Sequence, residues 1–207
     1  MIYDLTAIIN TSTVVYPGDP AYRSNDVCSL KSGDAFNLSE EHFGNHTGTH
    51  IDFPAHVISG GKTSDNFGLA SLIGDGIIIE VPNEQPSITA PFIKNLSILK
   101  NDIVFFKTSN SAISKHQPYT EKYVYLEKDA AIALLEKGVK IVGVDYISID
   151  HAKADDLPVH HTLLSRDVLI VEGLELANAP IGRCKIYIIP LNIQAKDGLP
   201  ARVFCKK

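Results

Sequence analysis

Three histidines and an aspartate stand close together in His46-Thr-Gly-Thr-His50-Ile-Asp52-Phe-Pro-Ala-His56, and every separation among the four is even. Side chains of an extended chain alternate with period two, so in a strand all four point the same way. A helix would join His46 to His50 but swing Asp52 to another side. Thr47 and Thr49 are β-branched, Gly48 is a poor helix former and Pro54 removes a donor, so local preference also favours the strand. Such a face suits a borderline divalent ion such as zinc, which takes neutral nitrogen and anionic oxygen at about 2.0–2.2 Å. His46, His50 and Asp52 suffice for a catalytic ion with one position left open, and His56 lies just beyond them. An ion of this kind lowers the pKa of water from about 15.7 to about 7 and so supplies a nucleophile at neutral pH. A lone histidine is usually a satisfied core or surface residue; a dense cluster on one face is not accounted for that way.

Two ions need more donors, and the richest remaining source is Val159-His160-His161-Thr-Leu-Leu-Ser-Arg-Asp-Val-Leu-Ile-Val-Glu172. Glu172 ends the apolar run Val168–Val171, where a carboxylate is costly to bury unless a metal or another charge compensates it; an exposed strand end is the plain alternative. For His160 and His161 the plain alternative is a helix start with one imidazole in solvent. His42, His116 and His151 have no partner set. In Tyr16-Pro-Gly-Asp19-Pro, Pro17 and Gly18 suit the central positions of a type II turn. Such a turn is either a plain hairpin connection or a mount for Tyr16 at the rim of a pocket.

The elements that must position these residues follow from pattern. A first strand is expected within 2–9, strands over 21–30 and 35–43 feeding the metal stretch, and a short helix over Phe67–Ile73 capped by Asp65 or Asn66. A buried strand follows from Gly76 to Val81, then a helix from Thr89 to Leu96 with Pro91 in its first turn. The strand Asp102–Lys107, the helix Glu127–Glu136 stopped by Gly138 and the strand Val139–Asp145 make a β-α-β rhythm that implies parallel pairing. Strands over Val168–Val171, Ile186–Leu191 and near Val203 complete an α/β chain with a mixed sheet, expected as one domain over 1–207.

Composition narrows the partners. At 44% hydrophobic and 21% charged the chain has ordinary globular content, and its net charge of −5, with no basic stripe, points away from nucleic acid and toward a small-molecule substrate. Cys28, Cys184 and Cys205 form neither a CxxC pair nor an even disulfide set. With no basic, apolar leader and no segment near the ~20 apolar residues of a membrane span, a reducing cytoplasm is expected and no membrane partner.

The segment His46–His56 resembles the HxGTHxDxPxH signature of the cyclase family, whose best-known members are bacterial kynurenine formamidases. The likeness extends to the turn Tyr16–Asp19, the strand Gly143–Asp150, the HHTLL and IVEGLEL segments, IIPLNI and DGLPARV. It implies a swivelling β/β/α fold and a homodimer. It makes His46, His50 and Asp52 ligands of one metal, with Asp52 reaching a second; it makes His160, or His161 after a one-residue shift, a ligand of that second metal, Glu172 the bridging carboxylate and His56 the catalytic acid/base. The implied cofactors are two divalent ions, zinc first and manganese second. Tyr16 stands where formamidases of the tryptophan pathway carry a tryptophan against the substrate's ring. The implied activity is metal-dependent hydrolysis of a non-peptide amide C–N bond, foremost in an N-formyl aromatic amine such as N-formylkynurenine. The rivals are ring opening of a cyclic amide or lactone with one manganese, in the manner of isatin hydrolase, and a metal-dependent protein that binds a small aromatic ligand without turnover.

Overall fold

A computed structural model describes residues 1–194 and 196–207. Long apolar runs become the parallel heart of a mixed sheet: β5 (Ile73–Glu80), β7 (Ile103–Lys107), β9 (Ile141–Val144) and β10 (Leu169–Glu172) lie side by side, all pointing the same way. Strands buried on both faces carry no polar side. Thus Ile103 and Phe105 of β7 face one core, while Val104 and Phe106 face another, and all four are fully buried. The short β4 (His50–Asp52) returns antiparallel to β10, and the long β11 (Gly182–Pro190) and β12 (Gly198–Lys206) form a hairpin whose first strand pairs with β5. β12 also pairs with β4, which closes the sheet on itself as a barrel, and β1 (Ile2–Asp4) joins its far end.

The interior core is built from Ile51, Phe53, Ile78, Phe105, Val171, Ile186 and Val203. The outer core packs Val104, Val142 and Ile170 against three helices: α2 (Ala90–Lys94), α3 (Lys128–Lys137) and α4 (Pro158–Leu164). In α3, Ala130, Ala131 and Leu134 share the buried face, and Gly138 ends the helix at φ 71° as its sequence requires. A two-stranded parallel pair, β6 (Ser87–Ile88) with β8 (Tyr125–Leu126), braces the same side.

Four expectations need correction. The strand expected over Gly143–Asp150 stops at Val144, beyond which the chain bends through to Asp150 to reach the cavity. The even-spaced metal stretch is not one strand: only His50–Asp52 is extended, preceded by a turn at 45–46 and followed by a 3-10 turn over Pro54–His56. Strands β2 (Arg23–Cys28) and β3 (Leu38–His42) do not feed it either. They pair with each other alone and stand almost wholly exposed, because their side chains are polar on both faces apart from a few apolar positions. The helix over Phe67–Ile73 shrinks to one turn, α1 (Leu69–Leu72), since Ile73 is taken into β5, where hydrogen bonding to two neighbours outweighs a short helix.

Closure brings backbone into tight contact beside the metal stretch. Gly173 follows Glu172 at φ 67°, and a Cβ there would lie 2.2 Å from the Gly48 carbonyl oxygen. Gly173→Ala must therefore pay the left-handed penalty and push β10 from the 48–49 segment. We expect it to lose about 2 kcal/mol or more, read as a lower urea midpoint at unchanged slope; an unchanged midpoint would show that this contact is not tight.

Candidate active site

β4 and its two neighbours supply the centre. His50 and Asp52 leave the same face of the strand, and the register sets Glu172 of β10 opposite His50 and Gly198 of β12 opposite Asp52. His46 arrives from the turn that Thr47 N–H closes on the Gly44 carbonyl, and its ring folds back until Nδ1 is 2.9 Å from Asp52 Oδ1. His56 projects from its 3-10 turn with its ring 4.3 Å from that of His46 and 5.4 Å from that of His160. His160 comes inward on α4, whose buried face carries it together with Leu163 and Leu164, while His161 faces solvent.

These groups form two overlapping, largely buried donor sets that share Asp52: His46, His50 and Asp52, and Asp52, His160 and Glu172; a third group, His46, His56 and Asp197, is only half-buried and does not include Asp52. His50 Nε2 lies 3.4 Å from Asp52 Oδ1 and 3.4 Å from Glu172 Oε2. His160 Nε2 lies 3.6 Å from Asp52 Oδ2 and 3.3 Å from Glu172 Oε1. Bonds of about 2.0–2.1 Å around a tetrahedral ion place neighbouring donors about 3.3 Å apart, so most of these spacings read as edges of coordination polyhedra. Both Asp52 oxygens and His50 Nε2 are sealed from solvent without a hydrogen-bond partner. Atoms left so would each cost about 1–3 kcal/mol, more when charged. The donor set fits a metal, and its buried unpaired atoms call for one.

Ring orientation is fixed from behind. His50 Nδ1 is 3.0 Å from the Gly48 carbonyl, which can only accept, so the proton sits on Nδ1 and the Nε2 lone pair points inward. His160 Nδ1 donates to Asp150 Oδ2 at 2.6 Å, to the same effect. Asp150 also caps α4 by accepting from the Val159 and His160 amides at 2.9 and 3.1 Å. Glu172 is held in turn by the Ile149 amide, 2.7 Å from Oε1.

Burial and the neighbouring charges set how tightly these groups hold protons. Burial pushes the His46 imidazole down, yet Asp52, Glu172 and Asp197 together hold it at about 9. Burial likewise works against the His160 cation, but Glu172, Asp150 and Asp52 raise it well above its ordinary value. For Asp52 burial acts upward and is outweighed by the imidazoles of His50, His160 and His46, which hold its carboxyl well below the usual range. His56 shifts the other way: burial lowers it, and the neighbouring His46 and His160 charges add to that against a partial offset from Asp52 and Glu172.

The centre opens into a cavity of about 170 Å³ bounded by His46, His56, His160 and Glu172 on one side and by Tyr16, Ile147 and Leu157 on the other. Tyr16 sits at the head of the expected turn, with Gly18 at φ 100° and the Asp19 amide donating to the Tyr16 carbonyl at 3.0 Å. Tyr119 meets its ring edge-on at 5.3 Å. His42, His116 and His151 are exposed and belong to none of the donor groups, in keeping with their lack of a partner set in the sequence. Sequence reasoning missed Asp150, Asp197 and Leu157. Asp150 carried one usable signal, an acid shortly before a proline-led helix bearing His160. Leu157 adopts φ 45° directly before Pro158, a conformation no local pattern announces for leucine.

A buried histidine and carboxylate cluster beside a cavity on a closed mixed sheet defines a metal centre that faces a small molecule. The Cyclase family model, described as "Putative cyclase", matches residues 3–151. A kynurenine formamidase from Salinibacter ruber is 34% identical over 97% of this chain and 95% of its own. A solved structure described as a potential metal-dependent hydrolase with cyclase activity superposes with a TM-score of 0.86 at 33% identity, covering 99% of this chain and 96% of that one. An isatin hydrolase reaches the same TM-score of 0.86 at 20% identity, with 99% and 91% covered, which is a likeness of fold. The chain belongs to the cyclase family.

Asp150→Asn keeps a helix-capping side chain but removes the charge behind His160. We expect the metal affinity of the centre, measured by competition with a chelator, to fall about 10–100-fold with α4 intact by circular dichroism; unchanged affinity would deny Asp150 this part.

Proposed function

We propose that the protein is a metal-dependent hydrolase of a non-peptide amide C–N bond, with an N-formyl aromatic amine such as N-formylkynurenine as its foremost substrate. The observation that carries this reading is His56: it belongs to neither donor set built on Asp52, grouping instead with His46 and half-buried Asp197, and it lines the cavity together with His46 and His160. The 34% identity to a relative named kynurenine formamidase supports the choice of substrate. The ligands proposed are His46, His50, Asp52, His160 and Glu172, holding two divalent ions, zinc foremost. Bound there, such ions supply a nucleophile from water at neutral pH and polarise the carbonyl under attack.

The chain's own residues do the rest. Tyr16, backed by Tyr119, offers a flat face to the aromatic ring, and Ile147 and Leu157 exclude water around it. Burial keeps the His56 imidazole neutral near pH 7, so it can take a proton from the attacking water and return it to the departing nitrogen. That transfer releases the aromatic amine and formate, since an amide nitrogen leaves badly as an anion.

We further propose a homodimer in a reducing, cytoplasmic setting. Three free cysteines accord with the compartment. The β2–β3 ribbon exposes Val27 and Leu38, with Leu30 and Phe36 in the connection between, each about half or more exposed. A two-stranded ribbon is marginal on its own in water, and a second copy would cover these side chains.

His56→Ala should keep its metal content while kcat on N-formylkynurenine falls about 10²–10⁴-fold. Wild-type turnover by that variant would remove His56 from the chemistry. A wild type that opens cyclic amides or lactones but leaves formamides intact would replace the substrate reading, and tight ligand binding with no product would replace the enzyme. For assembly, light scattering should show a dimer that Phe36→Asp converts to monomer; a monomeric wild type would end that part of the reading.

A further inference from the structure

His46 is the one metal-facing imidazole not yet secured from behind. His50 is backed by the Gly48 carbonyl and His160 by Asp150, each through a hydrogen bond. His46 has Nδ1 toward Asp52, while its Nε2 is buried and lacks a hydrogen-bond partner. Asp197 Oδ2, contributed just before β12 begins, lies 3.4 Å from that nitrogen.

Asp197 is itself held. Asn45, the residue before His46, donates from Nδ2 to Asp197 Oδ1 at 2.6 Å, and the Phe53 amide donates to the Asp197 carbonyl at 2.8 Å. The next residue, Gly198, lies against the imidazole: a Cβ there would sit 2.7 Å from His46 Cε1 and 3.1 Å from Nδ1. His56 covers the ring at 4.3 Å between centroids. The dipeptide Asp197–Gly198 thus forms a cradle shaped to one imidazole, with a carboxylate oxygen 3.4 Å from its unpaired nitrogen.

We propose that Asp197 is the positioning residue for His46. Its Oδ2 accepts the Nε2 proton, which fixes the tautomer that turns the Nδ1 lone pair toward Asp52 and so governs filling of the outer donor set, His46, His50 and Asp52. The inner set has no such dependence. Asp52, His160 and Glu172 are at most 5% exposed in their side chains, against 20% for His46, and His160 and Glu172 are oriented by Asp150 and the Ile149 amide. The two halves of the centre therefore differ in strength, and the outer one is released first. This rests on the reading of the cluster as a metal centre.

The test loads wild type, Asp197→Ala, Asp197→Asn and Gly198→Ala with cobalt(II), reads the visible absorption bands, and measures stoichiometry and affinity by chelator competition. Thermal midpoints of the metal-free proteins check folding. Asp197→Ala should weaken one bound ion about 10–100-fold, leave the other in place and alter the visible bands. Gly198→Ala, whose methyl displaces the same ring, should alter those bands in the same way. Asp197→Asn should restore most of the affinity, because its oxygen can face His46 while the Asn45 amide turns to accept from its NH2. Unchanged affinity and spectrum in Asp197→Ala, or Asp197→Asn no better than Asp197→Ala, would overturn the proposal. A wild type that binds no cobalt would overturn the metal reading first and this inference with it. A wild type holding a single ion would remove only the two-ion reading, and the inference would then stand or fall on whether Asp197→Ala weakens that ion.

Discussion

Asp52 and Glu172 are buried against each other, and the charge of Asp52 opposes ionisation of Glu172 just as burial does. Removing a carboxylate from water without a countercharge costs several kcal/mol, and two together cost more. Positive charge between them is therefore a condition of the fold as well as of the chemistry. The imidazoles of His46, His50 and His160 surround the pair, and those of His46 and His160 hold protons more tightly than free histidine does. A dication can take the place of those protons, which ties metal affinity to pH and metal binding to the stability of the closed sheet.

The scaffold that withstands this repulsion is the junction of three strands. β4 has only three residues, yet it is hydrogen-bonded on both edges, to β10 and to β12, so His50, Asp52 and Glu172 sit on adjoining, mutually fixed backbones. The parallel strands end here as well. Beyond the carboxyl end of β9 the chain runs through Asp145, Tyr146, Ile147 and Ser148 to Asp150, lining the cavity and backing His160 on the way, as expected where parallel strands open a crevice. That passage is anchored by Asp145, which accepts from the Thr108 amide and hydroxyl at 2.8 Å each and from the Ser111 hydroxyl at 2.5 Å. Its carbonyl receives the ammonium of buried Lys115.

Much of this was legible in the sequence, and the reasons differ by residue. Period two correctly placed His50 and Asp52 on one face, because those two do lie on a strand. The same argument joined His46 and His56 to them for the wrong reason: both reach the cluster through turns, and even spacing in a turn carries no direction. The choice between His160 and His161 was readable from helical periodicity. His160, Leu163 and Leu164 fall at i, i+3 and i+4 and so share a buried face. Glu172 was visible as a charge where an apolar run offered none. Asp150 and Asp197 were not, since an acid that acts by standing behind a ligand distant in the chain leaves no spacing to detect. The separate β2–β3 ribbon was hidden for a related reason, as strand propensity tells where a strand forms and not what it pairs with.

The cavity fixes the direction from which a substrate meets the cluster. His46, His56, His160 and Glu172 line it, whereas His50 and Asp52 lie behind them and do not. A bound molecule thus faces one donor from the outer set and two from the inner set, with His56 packed between them. In the acid/base role proposed above, an imidazole at that midpoint would have donors of both sets beside it, which a residue at the edge of the cluster would not. His56 owes the position to Pro54, which starts the 3-10 turn directly after β4 and takes the chain out of the strand. Had the strand continued, period two would have kept His56 on the face of β4, further along in line with His50 and Asp52, rather than across the mouth of the cavity.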